Sequence, residues 1–465
     1  MRQNRLNFKA KMIKALYCVL VMCVVVVIMA PIEDLSAQNR RPSIIRDTEI
    51  EATFQEWSTP LLKSSEIGEN SVKIILVQSD QVNAFVAGGA NIFFYTGLIK
   101  KTDSPGEVLG VLAHEMGHIA GGHLIRSQEA MERASYESIL GTVLGIGAAI
   151  VTGNGAAANA IIAGTQGLAT SRFLSHSRIN ESSADQAAFS YLTKAGINPS
   201  GLASFFEKLQ DQELLPSTQQ SEYIRTHPIT RNRIEATRAL ITKNALKDKP
   251  YPQSWYQQHA RMKAKLLGFI NPEQVGVAYP DSQKDIASRY ANTIAAYRLN
   301  DIPSALRGID ELIFLEPENP YFHELKGQML VDFSRVREAI PSYKKSVEIM
   351  PEASLIRIAL AHALLEVGND EENIKDAISH LNRAQITERR STRVFRLLAT
   401  AHGRLGEGSM SKLYLAEEAV LQNRLPYAKV QAQAALNSFE VGSREWIRSK
   451  DVLTHITNLQ NRAQR

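Results

Sequence analysis

Apolar positions fall into four regimes along the 465-residue chain. The first is a continuous run, ALYCVLVMCVVVVIMA, from Ala15 to Ala30. Five bases precede it (Arg2, Arg5, Lys9, Lys11 and Lys14), and Pro31 and Leu35-Ser36-Ala37 follow. A basic start, an apolar middle and small residues before Gln38 predict an export signal over residues 1–37. The run falls short of the about twenty residues a membrane span needs, so cleavage is expected rather than anchoring.

The second regime mixes periods. Apolar residues from Ile45 to Ile67 have helical spacing. KIILVQ (73–78) reads as a strand, and NAFVAGGANIFFYTGLI (83–99) as strand, Gly-Gly turn, strand. Ser104-Pro105-Gly106-Glu107 starts a helix, with Ser104 as N-cap, Pro105 at the first helical position and Glu107 closing a capping box. Val108, Val111, Leu112 and Ile119 form its apolar side. A helix at about 203–212 and a segment ending near Asn244 complete a unit spanning 46–244.

The third regime, residues 139–169, is apolar, rich in Gly and Ala, and uncharged. Gly153-Asn154-Gly155 divides it into halves too short to span a bilayer. It predicts either a helical hairpin or loop packed on the core, or else a mobile lid or an exposed apolar surface for peripheral membrane contact or unfolded chains. Residues 245–284, with four prolines, read as a linker holding one helix, Trp255–Phe269.

The fourth regime begins near Ile286 and is helical and periodic. Pro317 and Pro351 lie 34 apart, as do Ala305 and Ala339, which is the tetratricopeptide period. Two repeats, 287–320 and 321–354, are followed by a third near 355–391, carrying Ala377, and a degenerate fourth. The predicted repeat domain spans 285–460. The fold class expected is mainly α: an α+β domain with a small sheet, then a helical repeat solenoid.

Charge and cysteine content narrow the function. The formal net charge is +5, and loss of residues 1–37 removes five bases and two acids, leaving +2. A nucleic-acid partner is not expected. Both cysteines, Cys18 and Cys23, lie in the leader. The exported chain therefore has neither disulfide nor thiol chemistry.

The chemistry centres on HEMGHIAGGH, residues 114–123. At about 100° per residue, His114 and His118 share one helical face and can reach one ion. Glu115 sits beside them, placed to take a proton from water and return it to a leaving amine. One Zn2+ per chain is the expected cofactor. A third histidine ligand in the pattern HExxHxxGxxH would fall at position 124, which is Leu124. His123 misses by one and points about 140° away from His118, so it reads as an outer contact or a surface residue. The alternative third ligand is a glutamate from a second helix. In NESSAD (180–185), Glu181 and Asp185 share a face. Glu181 can bind the metal, and Asp185 can accept the outer N–H of His118 or His114. The strand at Asn91, Ile92, Phe93 and Phe94 could receive an extended peptide by edge pairing, and Tyr95 is a weaker candidate for stabilising an oxyanion.

HEMGH followed by SRINESSAD, whose Glu181 lies 63 residues after His118, resembles the gluzincin metalloprotease family that contains the HtpX protease and the CAAX prenyl endopeptidase. NAFVAGGANIFFYTGLI is similar to that family's edge-strand segment, and Thr226-His227-Pro228 with Arg231 and Arg233 to its C-terminal motif. The matches run from 46 to about 240. The resemblance implies a zincin-like fold, His114, His118 and Glu181 as zinc ligands, Glu115 as general base and Asp185 behind a ligand. It also implies His227 as a regulatory fourth ligand that holds the site shut. Arg233, or else Arg231, would contact the transition state, the substrate or neighbouring carboxylates. Periplasmic members that carry repeats imply degradation of unfolded or misassembled outer-membrane proteins. They further imply docking of the repeats on the outer-membrane β-barrel assembly machinery, in the periplasm and in places at the outer membrane. The competing expectation is a repeat-based chaperone or scaffold whose metal site is structural or plugged.

Overall fold

The structure is a computed structural model that describes residues 43–68, 71–123, 126, 177–216, 219–280 and 282–463. The leader at 1–37 and the apolar segment 139–169 lie outside the described residues. Among the described residues, no helix is long and apolar enough to cross a membrane.

Helix α1 (Thr48–Ser64) opens with Asp47, whose carboxylate accepts the Ile50 amide, a cap that satisfies one free N–H of the first turn. Its Ile50, Phe54, Trp57 and Leu61 all turn inward and are buried. Four strands follow the alternation seen in the sequence: β1 (Ser43–Ile45), β2 (Lys73–Gln78), β3 (Ala84–Ala87) and β4 (Asn91–Tyr95). The order in the sheet is β1-β2-β4-β3. Strand β4 runs parallel to β2 and antiparallel to β3. Gly88 and Gly89, with φ of 59° and 97°, make the reversal between β3 and β4, a backbone shape that L-residues with a side chain resist.

This order corrects one expectation. The strand Asn91, Ile92, Phe93, Phe94 is not an edge. β2 pairs on one side of it and β3 on the other, so its backbone groups are already used. Among the described residues, the edge on that side of the sheet is β3, which has no further strand beside it.

After α2 (Thr96–Lys101), helix α3 (Pro105–Ala120) runs through the middle of this half, and its residues 105–117 are all buried. Ser104 caps it through the Glu107 amide. The Glu107 carboxylate, expected to close onto Ser104, accepts instead from the Asp103 amide at 2.9 Å and from Lys208 Nζ at 2.6 Å. Helix α4 (177–194), α5 (Ser200–Leu209), the five-residue α6 (Glu222–Thr226) and α7 (Arg231–Thr242) surround α3.

The segment read as a linker contains α8 (Gln253–Ile270). Its Trp255, Met262 and Leu266 belong to the core around α1 and α3. Its Ala264 packs with Ala287, Ala291 and Ala295 of the first repeat helix.

From α9 (Ile286–Arg298) the chain is a stack of antiparallel helix pairs, α9 with α10 (Ile302–Leu315), α11 (Pro320–Asp332) with α12 (Val336–Ile349), α13 (Ser354–Glu366) with α14 (Glu371–Gln385), and α15 (Thr392–Arg404) with α16 (Gly408–Leu421). Helices α17 (Leu425–Leu436) and α18 (Arg444–Ala463) finish it. Ala305, Ala339 and Ala377 are wholly buried where paired helices cross, which is why a small residue recurs there. The backbone repeats the period too: Asn300 and Ser334, 34 apart, have φ of 62° and 61° in the turns between paired helices. The third and fourth helix pairs, which sequence spacing gave only weakly, are built like the first two. The fold is thus mainly α: a small mixed sheet with helices, then a tetratricopeptide-like solenoid.

Candidate metal centre

Helix α3 carries His114, Glu115 and His118, and α4 carries Glu181 and Asp185. They meet because Gly117 has no side chain. A Cβ there would lie 2.8 Å from the Ala184 carbonyl oxygen, so α3 and α4 touch backbone to backbone. The loop after α6 brings in His227.

His114, His118, Glu181 and His227 each offer one ligand atom, all within 4.8 Å of one another. His114 Nε2 lies 3.0 Å from His118 Nε2 and 3.4 Å from His227 Nδ1. Glu181 lies 3.4 Å from His114 Nε2, 3.3 Å from His118 Nε2 and 3.2 Å from His227 Nδ1. A tetrahedral ion bound at about 2.0–2.1 Å has ligand atoms about 3.3–3.4 Å apart, close to the distances of His114 and Glu181 from their neighbours in the cluster. Three imidazoles and a carboxylate suit zinc and other first-row divalent metals.

The surrounding residues fix these four. Asp185 Oδ1 is 2.9 Å from His114 Nδ1, the nitrogen that faces away from the cluster. Of the two histidines considered for this contact, His114 is the one Asp185 meets. His123 takes the matching place behind His118, Nδ1 to Nδ1 at 3.0 Å, and is an outer contact. Burial favours the neutral Asp185 carboxyl, but its bonds to Arg233 outweigh burial and hold it below the usual range.

Of the contacts expected of Arg233, the structure shows the one with neighbouring carboxylates. It donates from Nε and Nη2 to Asp185 at 2.7 and 2.8 Å, and from Nη1 to the Pro228 carbonyl at 2.7 Å. Nη1 is also 2.9 Å from Glu181. With every nitrogen engaged, the guanidinium orders the two carboxylates. Arg231 is exposed and pairs with Glu235 at 2.9 Å.

Glu115 stands out. Both carboxylate oxygens are buried, and neither has a hydrogen-bond partner among the described residues. Its nearest cation-capable neighbour is His227 Nε2 at 3.7 Å. Burial pushes its carboxyl up, toward the range where a base works at neutral pH.

Sequence reasoning missed Tyr223. It is wholly buried, its ring lies 4.9 Å from the His227 ring at 30°, and its hydroxyl has no partner among the described residues. The only signal was an aromatic residue four positions before His227. Phe206 was missed as well. It lies under the Arg233 guanidinium at 4.9 Å and meets the His114 ring edge-on at 6.1 Å.

The model of Peptidase family M48 matches residues 45–241, the stretch that builds this cluster. The β-barrel assembly-enhancing protease of Escherichia coli (strain K12) is 26% identical over 409 residues, covering 84% of this chain and 81% of that protein. Its namesake in Yersinia pestis is 24% identical over 398 residues, covering 83% and 79%. Metalloprotease LoiP of Escherichia coli (strain K12) is 30% identical over 187 residues, covering 39% of this chain and 68% of LoiP. With its helix-borne histidines and glutamates in place, the chain belongs to peptidase family M48 and is a metalloprotease.

Proposed function

We propose that the protein is a periplasmic zinc endopeptidase that degrades unfolded or misassembled outer-membrane proteins, and that His227 gates it. The observation that carries this reading is the convergence of four ligand atoms beside a buried, unpartnered Glu115 carboxylate. His114, His118 and Glu181 hold the metal, and His227 takes the remaining side. The metal supplies a Lewis acid for water and for the scissile carbonyl.

This chain's residues do the rest. Asp185 fixes the His114 ring through Nδ1, and Arg233 fixes Asp185. Glu115 takes the proton of the attacking water and delivers it to the leaving nitrogen. The extended substrate pairs with the free edge of β3, Ala84–Ala87, through its backbone, so sequence matters little. His227 must leave before water and carbonyl can enter, which spares folded proteins. The repeats offer the surface that docks the outer-membrane β-barrel assembly machinery. This reading takes its compartment and substrates from the predicted leader and the names of the relatives.

The test is digestion of casein by purified protein loaded with zinc, beside Glu115→Gln and His227→Ala. Cleavage by wild type, or by His227→Ala alone, that disappears in Glu115→Gln is expected. Absence of cleavage by both, with zinc shown to be bound, would favour a repeat-based scaffold instead. His227→Ala is expected to cleave several-fold faster than wild type.

A further inference from the structure

Helix α6 is a single turn, and both of its ends are tied down. At its start, the Tyr223 amide donates to the Val82 carbonyl at 3.0 Å, and Asn83 Nδ2 donates to Glu222 Oε2 at 3.2 Å. Asn83 is buried, and it is the residue just before β3. The Asn83 carbonyl accepts the Tyr95 amide at 3.0 Å. At the other end of α6, the His227 amide donates to the Tyr223 carbonyl at 2.7 Å, and the Tyr223 ring lies along the imidazole. Beyond His227, the Pro228 carbonyl is held by Arg233.

A five-residue helix rises about 7 Å and cannot stretch. Residues 82–83 and the His227 imidazole are therefore joined by a short rigid strut. One end of the strut sits at the root of the strand with the free edge, and the other sits in the metal cluster. A chain that pairs along β3 extends the sheet by one strand, and the sheet's twist then acts on the root of β3.

We propose that Asn83 and Glu222 are positioning residues that couple occupancy of the β3 edge to the place of His227. An extended polypeptide on β3 draws residues 82–83 and α6 together, and His227 leaves the cluster with them. The gate is then opened by substrate conformation, since only an unfolded chain can add a strand. This rests on the reading of His227 as a ligand and of β3 as the receiving edge.

The test uses the full chain in a Glu115→Gln background, loaded with Co2+, whose visible absorption reports the number and type of ligands. β-Casein, which this background does not cut, is the probe. Casein is expected to change the spectrum of the parent. Glu222→Leu and Asn83→Leu are expected to show the changed spectrum before casein is added. Glu222→Gln keeps an acceptor for Asn83 and is expected to behave as the parent. His227→Ala separates the two levels of the idea. If its spectrum equals the parent's, His227 is not a ligand and the underlying reading fails. If His227→Ala differs while both leucine variants keep the parent spectrum and its response to casein, the coupling alone is overturned. Equal behaviour of Glu222→Gln and Glu222→Leu would overturn it too. Should Glu222→Leu fail to fold, Asn83→Leu carries the same decision.

Discussion

Two of the buried ionic clusters among the described residues are built on opposite principles. One lies where the first half of the chain meets the repeats. Glu49 Oε1 accepts from Arg261 at 2.9 Å, while its Oε2 meets Lys265 at 3.3 Å and accepts from Tyr290 at 3.0 Å. Asp47 pairs with Lys265 at 2.7 Å, and Glu324 accepts from Thr48 at 3.1 Å. The buried acids each face donors the chain supplies. In the other cluster, three imidazoles and Glu181 turn acceptor atoms toward one point, and Glu115 has no partner. A buried acceptor without a donor is costly. Matched charges hold a fold together, whereas a surplus of acceptors at one point calls for a cation and a proton from elsewhere.

The comparison can be sharpened by breaking each cluster in turn. Glu115→Gln removes the proton carrier but no ligand. Peptide cleavage is expected to fall by a factor on the order of 10²–10⁴ with metal content unchanged, measured by product release beside metal analysis. Lys265→Met strips the other cluster of its central cation and leaves Asp47 and Glu49 underpaired. A loss of about 3–5 kcal/mol in urea unfolding is expected, with metal affinity unaltered. The double change Glu49→Leu with Lys265→Met should recover much of that loss. If it does not, the pair serves more than charge balance.

Asp185→Asn weakens the hold on His114 but leaves all four ligand atoms. Metal affinity is expected to drop about 10–100-fold in a competition titration with a chelating dye. The smallest effect is one of pH. Burial pushes the Glu324 carboxyl up to about 7, against the pull of Lys265, with Asp47 adding to the rise. The folded state thus prefers the protonated acid. Its contribution is complete below about 4.5, fades as pH rises toward about 7, and levels off above that. Glu324→Gln should flatten this slope in unfolding curves taken from pH 5 to 8.

The two clusters also differ in how far they could be read from sequence. HEMGH and NESSAD are local patterns, where spacings of one helical turn force His114 with His118, and Glu181 with Asp185, onto shared faces. His227 entered only through a family resemblance, because no spacing relates it to α3. The charge cluster was invisible. Glu49 and Lys265 are 216 positions apart, and Thr48 and Glu324 276, so only tertiary packing joins them. The receiving strand failed for a related reason. A hairpin of β3 and β4 follows from local alternation, but insertion of β4 beside β2 depends on a parallel pairing that alternation does not encode. The role of Arg233 was set by Pro228 and Asp185, whose positions no local pattern fixes.

The dual membership of α8 has a consequence for how the chain comes to exist. Trp57, at the centre of α1, donates to Gln258 at 2.8 Å, and Trp255 donates to Glu56 at 2.9 Å, with the two indole rings 6.0 Å apart. The wall behind the catalytic helix is therefore not finished when residue 233 has been synthesised, although every side chain of the metal cluster has by then been made. It closes only once residue 270 has joined, and the same helix then seats the first repeat. A nascent or truncated chain ending before 253 leaves Trp57 without its cover. The core around the metal cluster and the seat of the first repeat are thus completed by one and the same helix.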